Sequence, residues 1–598
     1  MENIKTQTLG GDFVIKQTLA NTVFTPEDFS EEQLMMKESV IEFVDRDIVP
    51  NRERFEQKDF DLTKKLMSKA GDLGFLGVAV PEEYNGLGMP FTSTMLVCDY
   101  ISGANGSFST AFGAHTGIGT MPITLYGNEE QKQKYVSKLA TGEWFGAYCL
   151  TEPGAGSDAN SGKTKAVLSE DGTHYKITGQ KMWITNAGFA DILIVFARIE
   201  DDKNITGFIV PKDLENGITL GDEENKLGIK ASSTRQVFFN ETKVPVENML
   251  AGRGDGFKIG MNALNVGRIK LAAACIEAQR RTSTLAIQYA TERVQFKTPI
   301  AEFGAIQYKL ANMAMETYAS ESASYRAAFD IEEKINELLE QGLSHQEAEL
   351  KGVEEFAIEC SILKVSVSEK AQKCTDEGIQ IFGGMGFSAD APMEMAWRDS
   401  RIARIYEGTN EINRMLSIGM LLKKAFKGDI DLMTPATAVG QELMTGIPKA
   451  EISNKLFAEE KYLIENMKKV LLMITGAAVQ KFGPKFEKEQ QIILALSDIL
   501  IEIYMAESTI LRTEKNCDRF GADSRKNQIE MSQLYLFNAI ENINRSGKEA
   551  IVSFAEGVHL KGMLSGMKQY SKYTNYPNIV GLRRSIASTL IEENKYPF

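Results

Sequence analysis

The chain has 598 residues, too many for one ordinary core, so three to five folding units are expected. Its 43% hydrophobic and 25% charged content is that of a soluble globular protein, and no run of eighteen apolar residues argues for a membrane span. A net charge of −14 argues against phosphate-backbone binding and hence against a nucleic-acid partner.

Six cysteines lie far apart without a CxxC pair, and the four histidines form no metal-ligand spacing, which argues against a disulfide framework and a zinc site. The first twenty residues lack both a signal-type apolar stretch and an Arg-rich transit pattern, so a reducing, cytoplasmic setting is expected.

In chain order, 25–146 reads as a helical domain. FSEEQLMMKESVIEFVDRDIVP and DLTKKLMSKAGDLGFLGVAVP carry apolar residues at three- and four-residue spacing, and PEEYNGLGMP is a loop between helices. From 147 to 253 the texture changes to short β-rich runs, WFGAYCL, HYKITGQKMWITNA, DILIVFARI, ITGFIVP and RQVFFNETKVP, which predict a small barrel-like β domain. The helical period returns over 254–425 as a bundle. FKGDIDLMTPATAVG then reads as a linker, and 436–598 as a further helical domain. The expected class is mainly α with a central β domain.

Four stretches could carry chemistry. In YCLTEPGAGSD the glycines after a strand would let backbone N–H groups approach an anion or a flat ring, although a tight strand-to-strand loop explains them equally well. KMWITNAG sets Trp183 beside Ile184, Thr185 and Asn186, where an indole could border a conjugated ring or simply fill a core. QIFGGMGFS ends a helix begun near Ser361 with three glycines, a C-cap that also exposes backbone. In YEGTNEI, Thr409 reads as an N-cap with Glu411 in the first turn, and Glu407 by itself could be one more solvated acid.

Together, in this order, these four motifs resemble the acyl-CoA dehydrogenase family over residues 30–425, and the extra helical region resembles its very-long-chain type. The resemblance implies FAD between the β domain and the bundle. Tyr148, Leu150, Thr151, Gly156 and Ser157 would contact the flavin, and Trp183, Ile184 and Thr185 would border its ring. Arg293 and Phe296 would reach FAD from a neighbouring subunit. Gln380, Gly383 and Gly384 would hold the adenosine part, and Thr409 and Glu411 would complete the site.

Glu407 matches the base that takes the α-proton while the β-hydride passes to flavin N5, yielding a trans-2-enoyl thioester in fatty acid β-oxidation. Ser157, Asn265, Arg268, Tyr406 and Gly408 would hold the thioester. A minority of the family places its base just before the arginine of an earlier helix; here that residue is Gly267, which has no side chain.

Two positions depart from the common pattern. Lys297 follows Phe296 and Gly304 follows Phe303, so the usual glutamine contact to FAD is absent. In STAFGAHTGIGTMP, the positions Gly113, Ala114, Gly117 and Gly119 would leave room in an acyl tunnel, which suggests a long straight-chain acyl-CoA. The added helical region implies a homodimer. EKYLIENMKKVLLMITGAAVQKFG permits a membrane-surface helix, hence a location peripheral to a bacterial inner membrane, although a buried bundle helix has the same pattern and is the simpler reading. The implied electron acceptor is an electron-transfer flavoprotein; an oxidase using O2 and an assembly or binding protein are the alternatives.

Overall fold

The computed structural model describes residues 8–448 and 452–598. Helices dominate the N-terminal region and start where side-chain caps permit. Ser30 and Gln33 form a capping box on Glu31–Phe43, and Asp59 accepts from Leu62 N at 2.9 Å ahead of Phe60–Asp72. Phe91–Ser102 is buried along its whole length. Gly106–Gly113 runs into a wide π turn, Ala114–Gly119, of the kind that often marks a functional site.

The middle region is one eight-stranded sheet. Its strands run Ile218–Leu220, Thr234–Pro245, His174–Thr185, Lys165–Leu168, Ile192–Ile199, Thr206–Pro211 and Met249–Leu250, with Gly146–Cys149 added in parallel to Ile192–Ile199. The register between His174–Thr185 and Thr234–Pro245 slips between Lys181 and Ile184, and at that bulge Trp183 takes φ +59° and turns its indole outward, 52% exposed.

Five long helices form the bundle: Gly256–Ala274, Ile276–Glu292, Gly304–Glu340, Ala357–Phe382 and Asn410–Lys427. A two-stranded hairpin, Val294–Gln295 with Thr298–Pro299, interrupts them. Its turn residues Phe296 and Lys297 are both left-handed, and Phe296 is 90% exposed.

The predicted linker is in part a helix, Met433–Thr445. Pro435 falls in its first turn, where no intrahelical donor is lost, Asp431 accepts from Thr434 N at 3.0 Å, and Val439 is buried. The remaining helices, Ala458–Phe482, Gln490–Phe520, Lys526–Phe554, Gly557–Tyr570 and Ile579–Glu593, pack onto the bundle.

One apolar core runs unbroken from Phe13 through the bundle to Tyr596, whereas the sheet keeps clusters of its own. Buried Arg512 fastens the layers, reaching Glu27 at 2.7 Å and Glu321 at 2.8 Å. Ala458–Phe482 buries Leu463, Met467, Val470, Leu471 and Ile474 as a bundle helix does, and no helix of the described residues is long and apolar enough to cross a membrane.

Candidate active site

Glu407 lies between the tight turn Arg401–Arg404 and the helix Asn410–Lys427, which Thr409 caps by accepting from Ile412 N at 3.3 Å. Glu407 and Gly408 are both left-handed, with φ +59° and +79°, and together they reverse the chain. For a non-glycine residue this conformation is strained and persists only where neighbours hold it.

Here they do. The Glu407 carbonyl accepts from Arg268 Nε and Asn413 Nδ2, each at 3.3 Å, and the Gly408 carbonyl accepts from Lys364 Nζ at 2.7 Å and Asn413 Nδ2 at 2.9 Å. Lys364, on helix Ala357–Phe382, also donates to Asn410 Oδ1 at 2.7 Å. Asn265 and Arg268 are both buried and paired at 2.7 Å, so Arg268 braces the backbone of Glu407 and is no exposed helix charge.

Burial pushes the Glu407 carboxyl up to about 7, against the pull of Arg268 and Lys364, which favour the anion. Its Oε2 is buried without a hydrogen-bond partner among the described residues, so no hydrogen bond from them compensates a charge placed there. Burial lowers Lys364 to about 8. Tyr148, on strand Gly146–Cys149, has a buried hydroxyl without a partner, raised well above its ordinary value by desolvation and by Glu407.

Glu407, Tyr406, Gly267 and Thr185 open on one cavity, with an empty volume of about 1220 Å3 including its mouth. Down one wall run Gly267, Leu271, Ala274, Ala278 and Thr282, a single face of two successive helices. Opposite, Gly113, Ala114 and Gly117 line it, and a Cβ on Gly113 or Gly117 would meet nothing within 4 Å. Gly119 does not belong with them. A Cβ there would lie 2.9 Å from the Gly146 carbonyl carbon, because this glycine lets the π turn press against the sheet.

A second group of the expected residues lies outside this cavity. Leu150 and Ile184 are buried, while Gly156, Ser157 and Trp183 face solvent beside the bulge. Their loop is locked from beneath. Glu152 accepts from Lys181 Nζ at 2.6 Å and from Lys163 N at 2.6 Å, Lys181 also reaches the Leu150 carbonyl at 3.3 Å, and the Thr151 carbonyl accepts from Met182 N at 3.0 Å. Arg293, Phe296, Gln380, Gly383, Gly384 and Glu411 are exposed, and a Cβ on Gly154, Gly156, Gly383 or Gly384 would meet open space. Sequence reasoning missed Lys364, Asn413 and the Glu152–Lys181 pair.

Family models match almost the whole of this architecture: the acyl-CoA dehydrogenase N-terminal domain over 30–143, the middle domain over 147–242, and two models of C-terminal domains over 254–421 and 466–569. A probable acyl-CoA dehydrogenase of Bacillus subtilis (strain 168) is 42% identical over 587 residues, 98% of both chains. The mitochondrial very long-chain specific acyl-CoA dehydrogenase of Macaca fascicularis is 42% identical over 352 residues, 58% of this chain and 51% of that protein. The crystal structure of an acyl-CoA dehydrogenase complexed with FAD from Bacillus anthracis superposes with a TM-score of 0.96 at 42% identity, covering 99% of this chain and 100% of the other. The fold is that of an oxidoreductase. The chain belongs to the acyl-CoA dehydrogenase family.

Proposed function

We propose that the protein is an FAD-dependent dehydrogenase of long straight-chain acyl-CoA, forming the trans-2-enoyl thioester, with Glu407 as the base that removes the α-proton. The observation that carries this reading is the carboxylate itself, poised near neutrality with a free oxygen at the head of an apolar cavity. The α-hydrogen of a thioester is a weak acid. Its removal needs a carboxylate in contact and a polarised carbonyl. The left-handed turn leaves the Glu407 backbone N–H without a partner among the described residues, so it is available to the thioester oxygen. Arg268 and Lys364 hold that turn in place, and an entering acyl chain expels water, strengthening the base.

The residues outside the cavity fit FAD. Trp183 offers an aromatic edge, Tyr148 an orphaned hydroxyl, and Gly156, Gly383 and Gly384 open backbone. When bound, FAD supplies the acceptor for the hydride from the β-carbon. Arg293 and Phe296, on their projecting hairpin, would act on the FAD of a second copy in a homodimer.

The cavity wall from Gly267 to Thr282 spans about 22 Å at 1.5 Å of rise per residue. A zigzag chain advances about 1.25 Å per carbon, so about 18 carbons fit. Electrons would pass to an electron-transfer flavoprotein in the cytoplasm of a bacterium; stoichiometric peroxide under air would instead mark an oxidase. The test is anaerobic mixing of the flavin-loaded protein with palmitoyl-CoA. Bleaching in the wild type but not in Glu407→Gln supports the reading, and a preference for C4 to C8 thioesters rejects the long-chain assignment.

A further inference from the structure

The acyl cavity does not end on a sealed floor. A second cavity, about 1510 Å3 with its mouth, lies beyond it, and Gly103, Ala104, Asn105, Thr282, Met395 and Ala396 border both. Gly103, Ala104 and Ala396 bring at most a methyl to this partition. The larger side chains in it are Asn105, Met395 and Thr282, all buried, and Asn105 touches Met395.

The two side chains are held unequally. Asn105 is fixed, because its Oδ1 caps the helix Gly106–Gly113 by accepting from Phe108 N at 3.1 Å. Its Nδ2 reaches only the Met395 sulfur, at 3.9 Å, and a thioether is a weak acceptor. A methionine side chain turns about three bonds, and the sulfur of this one makes no polar contact among the described residues beyond that weak one.

The far side differs in character. Val49 and Leu285 still line it, but so do three arginines, Arg52, Arg280 and Arg281, against one carboxylate, Glu277, and Tyr596. Arg280 is taken up by Asp99, Glu277 and Glu321, and Arg281 by Asp45 and Glu277. Arg52 donates to the Asp390 carbonyl at 3.0 Å and acts on the Glu394 carboxylate at longer range, but makes no direct ion pair among the described residues. A closed apolar pocket excludes a carboxylate through desolvation; a cavity open to water with a guanidinium outside any direct ion pair accommodates one.

We propose that Met395 gates a through-going tunnel. Acyl chains longer than the first cavity move its thioether off Asn105 and carry their far end into the second cavity, where Arg52 receives a terminal carboxylate. The substrate class added is the mono-thioester of long α,ω-dicarboxylic acids, dehydrogenated by the same chemistry at the same α- and β-carbons. This rests on the dehydrogenase reading above.

The experiment compares kcat/KM for octanoyl-CoA, eicosanoyl-CoA and the mono-CoA ester of eicosanedioic acid, using the flavin-loaded protein and its Met395→Trp and Arg52→Gln variants. The wild type turns over both 20-carbon substrates. Met395→Trp lowers the eicosanoyl-to-octanoyl ratio at least about tenfold, and Arg52→Gln lowers the eicosanedioyl-to-eicosanoyl ratio about tenfold, as expected for one lost charge-assisted contact. Rejection of the diacid by a wild type that accepts eicosanoyl-CoA, or ratios unmoved by both variants, overturns the tunnel and leaves the dehydrogenase standing. A wild type inert to all three overturns the dehydrogenase reading, and the tunnel with it.

Discussion

The backbone of Gly267 faces the carboxylate of Glu407: a methyl built on Gly267 would lie 2.9 Å from Oε2 and 3.0 Å from Cδ. The volume that any side chain at 267 would need is filled by the Glu407 carboxylate. Gly267→Ala should therefore separate stability from activity. Alanine suits the middle of helix Gly256–Ala274, so the melting temperature holds or rises, while displacing the carboxylate lowers kcat about a hundredfold. Thermal unfolding and steady-state turnover on the same preparation check this.

With Glu407 as the proposed base, Glu407→Gln keeps the shape and removes the carboxylate, so the rate of flavin bleaching by palmitoyl-CoA should fall by roughly 10²- to 10⁴-fold while the thioester still binds. In the wild type, kcat/KM should rise with pH through about 7, since only the ionised carboxylate accepts a proton. Lys364 favours that anion, so Lys364→Met moves the inflection upward and costs activity at pH 7. A pH–rate profile of each protein decides it.

The same shift bears on stability. Glu407 titrates higher in the fold than the 4.5 ordinary for a glutamate, so its contribution is fully present below about 4.5 and is lost as pH rises through about 7. Above that range the fold holds a buried anion that glutamine would not impose. Glu407→Gln should thus unfold at a higher temperature than the wild type at pH 8, with the difference vanishing near pH 4.5.

Two glycines of one turn should answer oppositely to substitution. Gly113→Leu projects into open cavity, so the chain-length optimum shortens by several carbons with little change in stability. Gly119→Ala pushes a methyl against the Gly146 backbone and costs about 1–3 kcal/mol, read from the urea midpoint, with the chain-length profile unmoved.

Lys181 and Glu152 are an ion pair 2.6 Å long, with their side chains 1% and 7% exposed. Lys181→Met strands the carboxylate and should destabilise the protein by about 3–5 kcal/mol, releasing the loop that carries Gly156 and Ser157. Urea unfolding measures the first effect and loss of bound flavin on dilution the second.

Much of this was legible in sequence wherever the determinant is local. The runs ending in KMWITNA and FIVP are strands because β-branched and aromatic residues crowd there between Gly, Asn and Pro breaks, and Thr409 caps its helix because its hydroxyl stands just before the first turn. What escaped is long-range. Lys364 looks like any helix lysine, and its one signal is that it stands alone among the small and apolar residues of ECSILKVSVS, where a charge needs a partner. Lys181 and Glu152 both sit inside quoted motifs, yet nothing local pairs them. FKGDIDLMTPATAVG read as a linker because a first-turn proline and a linker proline look alike until the helix behind it finds something to pack on. The second cavity is a void between elements, and voids have no sequence.

The sheet sets an order of assembly. Strand His174–Thr185 has to wait for Thr234–Pro245, synthesised only after most of the other strands of the sheet, before its register and the bulge at Trp183 exist. The helices around it close through nearer contacts and form sooner. During refolding, helical dichroism should therefore recover well before the protein regains the ability to capture FAD, so a nascent chain would pass through a stage that is largely helical yet unable to hold its cofactor.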